Sequence, residues 1–153
     1  MIFIYRSDQR IGVDLHGVID HNVPLFKELM SNFIQLGKEV WVISGPPKDE
    51  IEAELAKHEV KKGEHYHLIS SNVDYLREQG IRMWLDDKKT WWCDDEPWWA
   101  SKGNICKENG ITILIDDQIK YNTGMPKDGS IRLLIYDRRG VITQYKEDTN
   151  ERK

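Results

Sequence analysis

Apolar runs in this 153-residue chain stop repeatedly on residues that can do chemistry. RIGVDL (10–15) leads into Asp14-Leu15-His16-Gly17, KEVWVIS (38–44) ends on Ser44-Gly45, and ITILI (111–115) ends on Asp116-Asp117. Lys102 lies ahead of that last run, in SKGNICKENG. Each residue has an ordinary use. Asp14 can cap a turn, Asp116-Asp117 can cap a helix before QIKY, and Ser44 can belong to the turn at Gly45-Pro46-Pro47. Lys102 can be a surface lysine, with Lys88 and Lys89 as rivals for any role at a site. Together they have another use. Carboxylates from different strands make a hard oxygen site suited to Mg²⁺, which takes one or two of them plus waters and a substrate phosphate. A lysine and a hydroxyl complement the remaining phosphoryl charge. A carboxylate placed against phosphorus can attack it, and the aspartyl-phosphate so formed splits one difficult displacement into two easier ones. Phosphoryl transfer is the reaction class that fits.

These residues meet only if the runs that carry them lie side by side. Helical patterns alternate with the apolar runs, as in a parallel sheet with crossover helices. Strands are expected over 10–15, 38–44, 66–70, 111–115 and 131–136, and helices over 24–36, 49–61, 72–79 and 101–109. Pro24 opens the first helix and Gly37 follows it, the usual punctuation. DRRG (137–140) and VITQYK (141–146) predict an antiparallel edge hairpin, where 1–5 is also expected to pair. Loops at the carboxyl ends of such strands share one crevice. A helix that precedes a parallel strand starts at that edge, which puts Lys102, in the first turn of 101–109, beside the carboxylates.

Four short segments in this order, VDLHGVID, VWVISG, the lysine of SKGNICKENG and ILIDDQ, are similar to the four motifs of the haloacid dehalogenase superfamily. The likeness spans Arg10 to Asp117. Each motif is weak alone, and their order and spacing carry the resemblance. It implies an α/β fold of three-layer αβα Rossmann-like form, with Asp14 as nucleophile. Mg²⁺ would be held by Asp14, the backbone carbonyl of His16 and the acidic pair, with Asp117 in the metal-binding position and Asp116 supporting. Ser44 and Gly45 would meet the phosphoryl oxygens, and Lys102 would stabilise the charge on Asp14 and the phosphate. Receiver domains combine similar residues, but their acidic pair follows the first strand and here it follows the fourth.

One position departs from the pattern. Phosphatases of that superfamily carry a second Asp two residues after the nucleophile, as general acid and base, and His16 stands there in this chain. Imidazole is the side chain best suited to both jobs near neutral pH. Asp14, His16 and Lys102 are therefore the expected catalytic set of an Mg²⁺-dependent phosphomonoester hydrolase. The alternative is a regulatory phospho-ligand binder whose hydrolysis the His has impaired.

The segment 82–100, RMWLDDKKTWWCDDEPWWA, has neither helical nor strand period and holds five of the six Trp. Insertions of this size in a compact domain are usually functional, and a small cap over the catalytic edge is expected, with Trp91, Trp92 and Trp98 on the substrate side. Stacking on a nucleobase is one use of such rings, and a small core of the loop's own is the other. Asp86, Asp87, Asp94, Asp95 and Glu96 disfavour a polyphosphate unless Lys88 and Lys89 face inward, so the expected partner is a small phosphorylated substrate, with a nucleotide as one candidate. The connection after the first strand is too short for a large helical cap, which leaves the site open.

Length gives one domain over 1–153 at about 150 residues per domain. A net charge of −4 argues against a general nucleic-acid binder, and no run approaches a membrane span. Two cysteines, Cys93 and Cys106, and an N-terminus that reaches Arg6 without a long apolar stretch, suggest a cytoplasmic protein with reduced thiols. His65 and His67 have a metal-ligand spacing but no supporting ligand, and 151–153 reads as a solvated tail.

Overall fold

The computed structural model describes residues 9–147. The expected pairing of 1–5 and the tail at 151–153 lie outside the described residues. In chain order come β1 (Arg10–Val13), a turn of π-helix (Leu15–Ile19), α1 (Val23–Gln35), β2 (Glu39–Ser44), α2 (Lys48–Lys57), β3 (Leu68–Ser71) and α3 (Asn72–Glu78). A hairpin of β4 (Trp84–Leu85) and β5 (Trp91–Trp92) precedes α4 (Asp95–Asn109), β6 (Ile111–Asp116), a 3-10 turn (Ile119–Gly124), β7 (Arg132–Tyr136) and β8 (Ile142–Gln144). The main sheet has the order β3-β2-β1-β6-β7-β8. Its strands are parallel except β8, which pairs antiparallel with β7 as the edge hairpin. The chain leaves β1 toward β2 and β3, then crosses back to β6 on the other side. The carboxyl ends of β1 and β6 thus flank the switch in strand order where open α/β sheets bind ligands.

Side chains that alternate along each strand feed two separate cores. Val40 and Val42 join Ile11, Val13, Phe26, Met30, Ile51 and Leu55 on the face covered by α1 and α2. Ile43 and, part-buried, Trp41 join Ile105, Cys106, Leu114 and Leu133 on the α4 face. This sandwiching of the sheet is the three-layer arrangement. A bulge sharpens it: the register slips between Arg10/Ile11 and β6, so Ile111 and Ile113, two residues apart, serve opposite faces.

Several boundaries differ from expectation. β3 starts at Leu68, because Val40 N–H donates to Nδ1 of His67 rather than to a strand backbone. His65 Nδ1 likewise accepts from Lys61 N–H, so the two histidines serve backbone groups and do not form a metal pair. α2 stops at Lys57, before Glu59 turns left-handed (φ 57°). The largest correction is α4. It begins at Asp95, not Ser101, so Lys102 sits mid-helix and Trp98 and Trp99 are helical. The remainder of the Trp-rich segment is not aperiodic: Trp84 pairs with Trp92 and Leu85 with Trp91 across the hairpin. Asp86 closes its turn, accepting from the Lys88 and Thr90 N–H groups through Oδ1 and from Trp92 Nε1 through Oδ2. No helix among the described residues is long and apolar enough to cross a membrane.

Candidate active site

Asp14 is fixed where β1 gives way to the π-turn. Its N–H donates to Ile115 O on β6, and its Oδ1 accepts from Leu15 N–H, so side chain and strand pairing are set together. Gly17, at φ +83°, lets the turn pass under Asp117: a Cβ there would lie 2.3 Å from Asp117 Oδ2. From the opposite side α4 delivers Lys102, 1% exposed, whose Nζ lies 2.5 Å from Asp116 Oδ2 and 3.1 Å from Asp14 Oδ1. The ammonium also sits 4.3 Å from the ring centroid of Tyr121, and Tyr121 OH accepts from Asn72 Nδ2. Asp116 Oδ1 accepts from Gln118 N–H. The β7–β8 turn adds Arg138, which reaches Asp117 Oδ2 at 2.9 Å.

The electrostatics follow from burial. Desolvation raises the Asp14 carboxyl above its ordinary value; Lys102 opposes the shift, and the neighbouring Asp117 adds to it. Burial likewise pushes Asp116 up to about 7, against the pull of Lys102. Burial alone would lower the Lys102 ammonium, but Asp116 and Asp14 more than offset it and hold it above the ordinary lysine range. Three carboxylates thus face two cations, and burial makes the negative charge on Asp14 and Asp116 costly unless a further cation offsets it.

A divalent cation would supply that offset. The carboxylate oxygens of Asp14, Asp116 and Asp117 lie within 4.8 Å of one another. Hydrogen bonds and ion pairs among the described residues occupy Asp14 Oδ1, both Asp116 oxygens and Asp117 Oδ2. Asp14 Oδ2 and Asp117 Oδ1 remain, so the donor set fits a hard cation bound mainly by those two residues, with Asp116 serving Lys102. A phosphoryl group has a partner as well. Ser44 Oγ is fully buried beside Asp14, whose charged form it favours, and it makes no other hydrogen bond among the described residues. A buried hydroxyl with bonding capacity left, in the wall of a cavity, is a place for a ligand oxygen. The cavity of about 350 Å³ that Ser44, Asp14 and Lys102 share also has Gly45 in its wall.

His16 stands at the rim. Its Nε2 lies 2.5 Å from Glu54 Oε2 on α2, and its ring borders both this cavity and a larger one of about 630 Å³ beneath the hairpin. Trp98 lines both, its ring edge 3.3 Å from where a Cβ on Gly45 would stand. Trp91 and Trp92 line the larger cavity only.

Asp14, Ser44, Gly45, Asp116 and Asp117 therefore come together as their positions at strand ends predict, Lys102 joins them from the middle of α4 rather than from a first helical turn, and Trp91 and Trp92 stand one cavity away. Sequence reasoning passed over Arg138, Glu54 and Tyr121. For Arg138 a signal existed: DRRG follows a parallel strand and so opens at the same edge. Glu54 and Tyr121 carry none, since each is one polar residue among many in its element. The sequence matches no family model and no curated protein. The superfamily resemblance accordingly stands on its motifs alone.

Proposed function

We propose that the protein is a divalent-cation-dependent phosphomonoester hydrolase in which Asp14 is the nucleophile. The observation that carries this reading is the buried cluster of Asp14, Lys102 and Asp116 beside the buried Ser44 hydroxyl, a set of carboxylates, an ammonium and a hydroxyl gathered at one cavity. Asp14 attacks phosphorus, the ester P–O bond breaks, and the departing oxygen takes a proton from His16. Water then attacks the same phosphorus and gives a proton to His16. The P–O bond to Asp14 breaks, releasing inorganic phosphate and restoring the carboxylate. Ser44 donates to a phosphoryl oxygen throughout, and Lys102, clamped by Asp116, offsets the charge that builds at Asp14. A bound Mg²⁺, held by Asp14 and Asp117 with the His16 carbonyl, would supply electrostatic stabilisation of the phosphoryl oxygens.

The test is phosphate release from a chromogenic phosphomonoester with Mg²⁺. Activity in the wild type that falls by roughly 10³-fold or more in Asp14→Asn supports the reading. No release above that control across a broad phosphomonoester panel rejects it. A second reading, a phospho-ligand binder without turnover, draws on two contacts: Glu54 already engages His16, and Arg138 already neutralises Asp117. Saturable binding of phosphomonoesters with no release would favour it.

A further inference from the structure

The 630 Å³ cavity beneath the hairpin is of the size that holds a small organic ligand. It shares His16, Gly45 and Trp98 with the cavity of Asp14 and Ser44, so a molecule whose phosphoryl group lies at Asp14 extends into it. Trp91, Trp92, Trp98 and Trp99 form its walls. Were these rings only filling a loop, they would pack on one another or join the core. They do neither. None belongs to either buried cluster, and among the described residues the ring contacts are His21–Tyr136, Phe26–Tyr136 and Trp99–Tyr121. Trp92 is 51% exposed. Arg77 lies over Trp91 at 4.6 Å but is not part of the cavity wall, so it braces that ring from behind.

The polar lining narrows the ligand. Lys88 and Lys89, carried by the Asp86 turn, face Glu50 and Asp95 in the same cavity. Their charges balance, so the cavity suits a neutral group with hydrogen-bonding edges rather than a second phosphate. Three of the aromatic walls, Trp91, Trp92 and Trp98, have no aromatic partner among the described residues, which suits a flat one.

Resting on the hydrolase reading for the phosphate end, we propose that this cavity receives a nucleoside, and that the substrate is a nucleoside monophosphate. The ring of the base meets the Trp walls while its edges and sugar hydroxyls meet the charged lining. A glycerol or simple alkyl phosphate would leave the aromatic surface in water. Stacking of one base predicts a preference of roughly ten- to a hundredfold in kcat/KM.

The experiment has two arms on the full chain with Mg²⁺. In the first, kcat/KM is compared for adenosine 5′-monophosphate, thymidine 5′-monophosphate and glycerol 3-phosphate, in wild type, Trp91→Leu and Trp92→Leu. A nucleotide preference that collapses in the Trp variants supports the proposal. Trp92 is half exposed and outside both cores, so its replacement leaves the main sheet intact and loosens at most the hairpin, where its indole donates to Asp86. The second arm needs no turnover: quenching of Trp fluorescence by the same nucleotides, and by adenosine alone, in Asp14→Asn. Saturable quenching that adenosine shares and glycerol 3-phosphate lacks supports the cavity assignment. Hydrolysis of all three esters at equal efficiency without quenching overturns the proposal and leaves the hydrolase standing. Quenching without hydrolysis of any ester overturns the hydrolase and leaves the nucleoside site standing.

Discussion

Lys102 is the residue on which the site's charge balance turns. Its ammonium is the one cation within the buried group, and removing one partner of a buried ion pair strands the other. Lys102→Met should therefore cost about 3–5 kcal/mol of stability at neutral pH. Asp14→Asn should leave the thermal midpoint unchanged or raised, because burial already disfavours its charge and Asp116 still holds Lys102. Thermal melts of the two variants separate these outcomes, and a comparable loss in both would contradict the assignment. Asp116 makes the pH dependence specific. Its folded carboxyl, pushed up to about 7 from an ordinary 3.8, keeps a proton that the unfolded chain has lost. Folding binds more protons across that interval, so stability is fully present below about pH 4 and declines as pH rises toward about 7. Denaturant midpoints in EDTA over that range should show the decline in wild type and a flatter profile in Asp116→Asn. At this scale the sequence was informative wherever a polar residue ends an apolar strand, as at Asp14, Ser44 and Asp116. It was silent for Glu54, whose role depends on where α2 lies relative to the π-turn, a tertiary relation with no local signature.

Among the elements, α4 was the least legible. A surface helix shows an apolar stripe, but α4 buries Ser101, Lys102, Gly103, Ile105 and Cys106, a mixture with no such stripe. What the helix needs is closeness. A Cβ on Gly103 would stand 2.2 Å from the Gly124 carbonyl, and one on Gly124 would stand 2.3 Å from Ala100 O, so α4 and the 3-10 turn touch backbone to backbone. That contact sets both Lys102 and Tyr121. Gly103→Ala should push the two apart, costing about 1–3 kcal/mol as overpacking does, and should slow turnover by withdrawing Lys102 from Asp14. Urea denaturation gives the first quantity and the rate on a chromogenic ester the second. Full stability and full activity in Gly103→Ala would mean that the contact is slack. The helix start at Asp95 was also readable only in part. Asp95, Glu96 and Pro97 suit a first helical turn, but the two tryptophans that follow disguise it as more of the insertion.

At the scale of the molecule, two parts divide the labour. The sheet and its flanking helices hold both buried cores and the carboxylate cluster, whereas β4 and β5 belong to neither core and pair only with each other. The parallel sheet was visible in the alternation of apolar runs and helices because buried strands impose that rhythm on the sequence. The hairpin was not visible, because two-residue strands are too short to establish any period. Its stability comes instead from Asp86, which gathers the turn amides and the Trp92 indole through side-chain hydrogen bonds. This division predicts the outcome of replacing residues 84–92 by a short Gly-Ser link. The hairpin contributes no strand to the main sheet, so circular dichroism and the thermal midpoint should change little, by no more than a few degrees on the scale of about 2–4 °C per kcal/mol. The larger cavity loses Trp91, Trp92, Lys88 and Lys89, while Asp14, Ser44, Lys102 and the acidic pair keep their supports. Hydrolysis of a small chromogenic ester should therefore persist, and discrimination between nucleoside and glycerol phosphates should disappear. A chain that unfolds without the hairpin would instead make that segment part of the structural core.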